Sequence, residues 1–170
     1  MLFRSEDPAV IAEMNFKFAE VLEQSGDHAN AVKRYRKFIT DNEKSPRRYS
    51  ARLGLARCLR KTGDVDEARR LLHDLIRDTV ATVKSTCTLE LAELEYEQSN
   101  FDAALREYLM VAILETEETL AAPALIGAIR SCAKLSRKED AIKYAKELIQ
   151  RFPNSNYRKE AEGFLAPQAP

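Results

Sequence analysis

The sequence predicts an all-α solenoid of four helix hairpins in a row, closed by a short C-terminal capping helix. Three observations predict it. Four turn markers, Gly26-Asp27, Gly63-Asp64, Ser99-Asn100 and Ser136-Arg137, follow one another at intervals of 37, 36 and 37 residues. An alanine stands five residues after each marker: Ala31, Ala68, Ala104 and Ala141. Around every marker, apolar residues recur at steps of three and four, the spacing of one helix face. Eight before it come Phe18, Leu55, Leu91 and Ala128, and nine after it Tyr35, Leu72, Tyr108 and Ala145.

Composition agrees with helices. The 170 residues include only 5 Gly and 6 Pro, with 45% apolar and 32% charged side chains. Few breakers and many strong helix formers describe a helical chain with a wet exterior. The 27 basic and 27 acidic side chains cancel, so there is no net field to gather nucleic acid or an anionic membrane. The longest apolar run, Leu120 to Ile129, is broken by Pro123 and Gly127 and falls short of the ~20 residues a bilayer crossing needs.

Taken in order, residues 1–6 read as an N-terminal tail. Its Leu2-Phe3-Arg4-Ser5 is what the sequencing-adapter string CTCTTCCGATCT encodes in frame; the expectation is an assembly artefact, with the native chain continuing upstream. Residues 7–44 form the first repeat, opened by Asp7 as a cap with Pro8 in the first turn. Residues 45–80 form the second, where Ser45-Pro46 reads the same way. Residues 81–118 and 119–154 form the third and fourth. Within the repeats, Gly26 and Gly63 suit the left-handed end of a helix, and Asp27, Asp64 and Asn100 suit the cap of the next. The repeated alanines let the second helix of each hairpin approach the first closely. Ser155 caps a lid helix over residues 155–165, with Tyr157, Ala161, Phe164 and Leu165 as its apolar stripe. Residues 166–170 read as a disordered tail.

These residues resemble the tetratricopeptide repeat (TPR) family over about residues 8 to 165. The best match is Leu91-Ala92-Glu93-Leu94-Glu95-Tyr96-Glu97-Gln98-Ser99-Asn100-Phe101-Asp102-Ala103-Ala104-Leu105, followed by Glu139-Asp140-Ala141-Ile142-Lys143-Tyr144 with Phe152-Pro153-Asn154-Ser155. The chain departs from the family in its longer repeats, in having the closing proline clear only at Pro153, and in placing Glu95 where an aromatic is usual. The resemblance implies a right-handed superhelical solenoid and a scaffold for protein–protein interaction. The last segment is similar to repeats of bacterial envelope proteins such as lipoprotein assembly factors and cell-division coordinators. A fragment of a larger bacterial protein is therefore expected. The alternative is a regulatory or targeting module of a larger enzyme or of an envelope-assembly protein. The expected compartment is the cytoplasm, or the periplasm and envelope if the native chain begins upstream.

No catalytic constellation, cofactor motif or metal spacing is present in the sequence. His28 and His73 are far apart, Cys58, Cys87 and Cys132 read as small buried hydrophobes, and Glu117-Glu118 reads as a solvated pair in a connection. An enzyme is not expected, nor is a cofactor. What remains is the inner wall that the family builds from the first helix of each repeat. There the candidate partner-binding residues are Glu13, Phe16, Glu20 and Glu23, beside Gln24, then Arg57, Arg60 and Lys61. They continue as Glu90, Glu93, Tyr96 and Glu97, and end with Arg130 and Lys134. The wall thus alternates acidic, basic, acidic, basic. Two readings stay open: cross-helix pairs such as Glu20 with Arg57 and Glu93 with Arg130, or a groove that reads a peptide of alternating charge. Phe16 and Glu20 stand where the resemblance would place the lysine and asparagine of a carboxylate clamp, so a chaperone C-terminus is not the expected ligand. Nucleic acid, through Arg47, Arg48, Arg52, Arg57, Arg60 and Lys61, is not expected either, because no aromatic platforms are interleaved.

Overall fold

Each turn marker ends one helix and starts another because its first residue reverses the backbone. Gly26 and Gly63 have φ of 82° and 93°, the left-handed region where glycine carries no Cβ penalty. Ser99 and Ser136 hold the same conformation at φ 62° and 59°, which an L side chain adopts at a cost. Ser99→Gly and Ser136→Gly are each expected to stabilise the chain by about 0.5–1 kcal/mol. The check is a rise in thermal midpoint without loss of helix content.

The computed structural model describes residues 7–79 and 81–165; the expected tails at 1–6 and 166–170 lie outside them. Among the described residues the elements are all helical and fall into two compact units divided after Thr79. The first unit holds α1 (Pro8–Gln24), α2 (His28–Asp41), α3 (Arg48–Thr62) and α4 (Val65–Asp78). Packing runs α1 on α2, α2 on α3 and α3 on α4, with α1 also touching α3. The second unit holds α5 (Ala81–Glu97), α6 (Phe101–Leu114), α7 (Glu118–Lys134), α8 (Lys138–Arg151) and α9 (Arg158–Leu165). It packs in the same chain order, with α5 also touching α7 and α9 covering α8.

The small residues sit where the close approaches are. Ala31, Ala68 and Ala104 are fully buried and Ala141 nearly so. Gly54 lies against the Tyr35 ring and Gly127 against the Tyr108 ring, close enough that a Cβ on either glycine would stand 2.4 Å from ring carbon. Tyr35 and Tyr108 are themselves buried, so α2 and α6 each insert one aromatic ring into a notch in the first helix that follows, α3 and α7.

Local chemistry departs from expectation at several ends. Asp7 caps α1 by accepting from the Ala9 amide at 2.8 Å, and Asp27 caps α2 by accepting from the Asn30 amide at 3.3 Å. Asp64 and Asn100 occupy the cap positions of α4 and α6 without making that bond. Asp64 instead accepts from the Thr62 hydroxyl, and Asn100 donates to Glu95 at 2.6 Å. Ser45 and Ser155 do not start their helices: each opens a turn that places the helix start three residues later, at Arg48 and Arg158. Glu118 belongs to α7 rather than to the connection, with Glu117 at its cap position. Two carbonyls at the end of α6 are satisfied from α8: Arg151 donates to Ala112 O at 3.0 Å and Glu115 O at 2.8 Å.

Candidate functional site

The first helices carry charged side chains on a face that their buried residues leave open. In the first unit, α1 presents Glu13, Glu20 and Glu23, and the opposing α3 and its leading turn present Arg47, Arg57, Arg60 and Lys61. Glu20, Glu23, Gln24, His28, Arg57, Arg60 and Lys61 line one cleft of about 340 Å³. Five of the residues expected at the wall therefore converge.

The pairing differs in register from the expected one. Arg57 pairs with Glu23 at 3.2 Å, not with Glu20, whose carboxylate takes Lys17 at 2.7 Å. Arg47 grips Glu13 with two bonds of 3.1 and 2.9 Å, and this hydrogen bond and charge raise the Arg47 pKa. Both cross-helix pairs span 34 residues, three fewer than the repeat. The two helices are thus offset by about one turn, and Arg57 meets the residue one turn beyond its own repeat equivalent. Glu23 is held on its other oxygen by the Tyr35 hydroxyl, which donates at 2.6 Å. Burial and that carboxylate push the Tyr35 pKa far up, so this hydroxyl stays a donor.

Phe16 is a correction. It is 1% exposed and packs against Tyr35 and Phe38 at ring-centroid distances of 6.2 and 5.5 Å. It belongs to the core, not the wall. The repeat alignment carried the signal: the equivalent positions are Leu53, Leu89 and Ile126, all apolar.

In the second unit Glu93 and Tyr96 are partly buried on α5, and Glu97 is exposed at its end. Glu90 is partly buried on the same helix, Arg130 is partly exposed on α7, and Lys134 is exposed at the end of α7. Arg130 does not bond Glu93; it turns to Glu160 of the capping helix with two bonds of 2.7 Å. The reason lies one position away. The residue that corresponds to Glu23 here is Tyr96, which offers no carboxylate and packs edge-on to Phe101 at 5.3 Å. Arg130 therefore reaches α9, and Glu93 acts on it only through space. The partner Glu160 was not among the residues expected at the site; a charged lid helix following a basic first helix was the available sign.

Glu160 has its pKa lowered chiefly by the Arg130 hydrogen bond, which outweighs the opposing effect of burial, with Arg130's charge a lesser help. A carboxyl whose folded pKa lies below its unfolded one stabilises fully above the unfolded value. That stability is lost as pH falls through the folded value. Glu160→Gln is expected to cost about 0.2–1 kcal/mol at neutral pH, the range of a half-exposed pair, and progressively less in acid below the ordinary glutamate pKa. Urea midpoints of the two proteins across that pH range check it.

Burial pushes the Cys58 thiol up to about 12 and the Cys132 thiol up to about 11, so both stay protonated at neutral pH. Among the described residues, no cluster of histidine, cysteine and carboxylate side chains could hold a metal ion, and no helix is long and apolar enough to cross a membrane.

Family models described as the tetratricopeptide repeat match residues 20–82 and 89–156. No curated protein sequence matches. Among solved structures, the chain is similar to nearly identical TPR-like repeats of a kinesin light chain-like protein from Podosopora anserina, at TM-score 0.71 and 16% identity, covering 94% of this chain and 93% of that one. It is also similar to PilF of Pseudomonas aeruginosa, at TM-score 0.62 and 18% identity over 89% of this chain and 66% of that one. The MamA protein aligns at TM-score 0.65 and 15% identity, over 91% and 87%.

Proposed function

The chain belongs to the tetratricopeptide repeat family, a family of protein–protein interaction modules, and we propose that it is a non-catalytic scaffold binding a peptide or helix of a partner along its first helices. The observation that carries this reading is the cleft between α1 and α3, where carboxylates and cations face each other across a partly exposed floor. A ligand of alternating charge exchanges its own groups for these pairs: a carboxylate toward Arg57, Arg60 and Lys61, a cation toward Glu20 and Glu23. Glu13 extends the acidic edge on α1. Glu90, Glu93, Tyr96 and Glu97 on α5, with Arg130 and Lys134 on α7, form the corresponding surface of the second unit. The exposed Lys17–Glu20 pair contributes only ~0–1 kcal/mol, so a ligand displaces it at little cost, and charge complementarity then sets which ligand is accepted.

Panning a display library of extended peptides against the intact chain tests this. The expected winners alternate acidic and basic residues, weaken as salt rises, and lose at least about tenfold in affinity against Arg57→Glu/Arg60→Glu. A charge reversal on α8, Lys143→Glu, leaves them unchanged. Peptides that bind regardless of the wall variants would leave α1 and α3 as helices that merely pair with each other.

A further inference from the structure

A first helix inside a unit is packed on two sides. In α3 the face of Ala51, Gly54, Leu55 and Cys58 turns toward α2, since Gly54 meets the Tyr35 ring; Ala51 and Cys58 are 0% exposed and Leu55 5%. In α7 the face of Ala124, Gly127 and Ala128 turns toward α6 in the same way, through Tyr108. One repeat before α3, the same face of α1 carries Met14, Lys17, Phe18 and Val21. No helix covers it among the described residues: Met14 is 64%, Phe18 47% and Val21 57% exposed. An apolar helix face that its equivalents bury is a docking surface rather than scattered surface apolarity.

The edge of this face is basic. Phe18 and Leu22 floor a cleft of about 450 Å³ whose far side is Asn30, Lys33, Arg34 and Lys37 of α2. The Arg34 guanidinium lies over the Phe18 ring, 4.9 Å from its centroid. Lys37 pairs with Asp41 within its own helix, and Lys33 approaches Asn30 at 3.4 Å, both exposed contacts that a ligand carboxylate readily replaces.

The shape argues against a second copy as the occupant. Lys17 stands where α3 and α7 carry Gly54 and Gly127, so the notch that receives the tyrosine of α2 or α6 is filled. The last second helix, α8, is itself covered by α9, whose Ala161 is fully buried and whose Phe164 packs on the same core.

We propose that the outer face of α1 and the basic edge of α2 dock an amphipathic helix of a partner protein, with its apolar stripe on Met14, Phe18 and Val21 and acidic side chains toward Lys33, Arg34 and Lys37. This surface is separate from the α1–α3 cleft, and the helix-in-groove mode needs only apolar anchors at steps of three and four with a charged flank.

The probe is a dye-labelled helical peptide of about four turns, leucine along one stripe and glutamate along its flank, titrated into the intact chain by fluorescence polarisation. A twin peptide carries lysine in place of the glutamates. Saturable binding of the acidic peptide, at least about tenfold tighter than the twin, is expected. Phe18→Ser and Lys33→Glu/Arg34→Glu should each abolish most of it with helix content unchanged in circular dichroism, while Arg57→Glu/Arg60→Glu should not. Because the two sites are scored by different variants, failure here leaves the cleft reading intact. Equal binding of both peptides, or binding indifferent to Phe18 and Arg34, overturns the proposal. So does self-association that Phe18→Ser abolishes, a requirement to delete residues 1–6 before the peptide binds, or tighter attachment to phosphatidylglycerol vesicles than to the peptide.

Discussion

Tyr108→Ala is expected to destabilise the chain by about 3–5 kcal/mol, the cost of deleting a buried aromatic ring. The ring is 1% exposed and sits in the notch at Gly127, where α6 meets α7. Its removal leaves a void lined by helices that cannot collapse far, because Ala104, Ala112, Ala124 and Ala128 already hold them close. Urea denaturation reads the loss as a lowered midpoint. Ile113→Ala on the same helix removes a side chain that is 79% exposed and is expected to shift stability by no more than about 0.5 kcal/mol. Equal effects from the two would remove the ring-in-notch packing as a source of stability.

Gly127→Ala tests the other side of that contact, and two effects of opposite sign compete. Alanine is worth about 1 kcal/mol over glycine within a helix. At Gly127, however, the added carbon would stand 2.4 Å from the Tyr108 ring, and overpacking costs about 1–3 kcal/mol. The ring is buried and has no free direction in which to retreat, so the clash wins and net destabilisation is expected. Gly163→Ala isolates the favourable effect, since nothing lies within 4 Å of a Cβ there, and it is expected to stabilise α9. The double variant Tyr108→Ala/Gly127→Ala should lose less than the sum of its parts, because each change relieves the other.

The helix order was legible because turn markers and small residues repeat with their backbone reasons attached. Gly26, Gly63, Ser99 and Ser136 all adopt the left-handed turn, and the alanines five residues later all lie buried. What was not legible was lateral register. Aligning repeats pairs Glu20 with Arg57, but neighbouring first helices are offset by a turn, which only the packing of large side chains sets, so Glu23 receives the arginine. Phe16 was misplaced for a related reason. A helix with apolar residues on two faces, as α1 has with Phe16 on one and Phe18 on another, does not declare which face is the core. The Arg130–Glu160 bond depended on one substitution, Tyr96 in the place of Glu23, whose effect shows only where the capping helix lands. Side-chain caps are missing at Asp64 and Asn100, where Asp64 Oδ2 accepts from the Thr62 hydroxyl and the Asn100 amide group donates to the Glu95 carboxylate instead.

Stability that comes from stacking has a direct test in the second unit, where α6 lies between α5 and α7 and its Tyr108 and Val111 are buried. A peptide of residues 81–117 carries the α5–α6 hairpin alone, whereas 81–170 carries the hairpin with its neighbours. Far-UV circular dichroism of the two, with urea titration, is the measurement. The short peptide is expected to be largely unfolded, since isolated helices of this length are marginal in water, and the longer piece helical with a cooperative transition. A hairpin that is as helical as the longer piece and unfolds cooperatively by itself would contradict the dependence of each layer on the next.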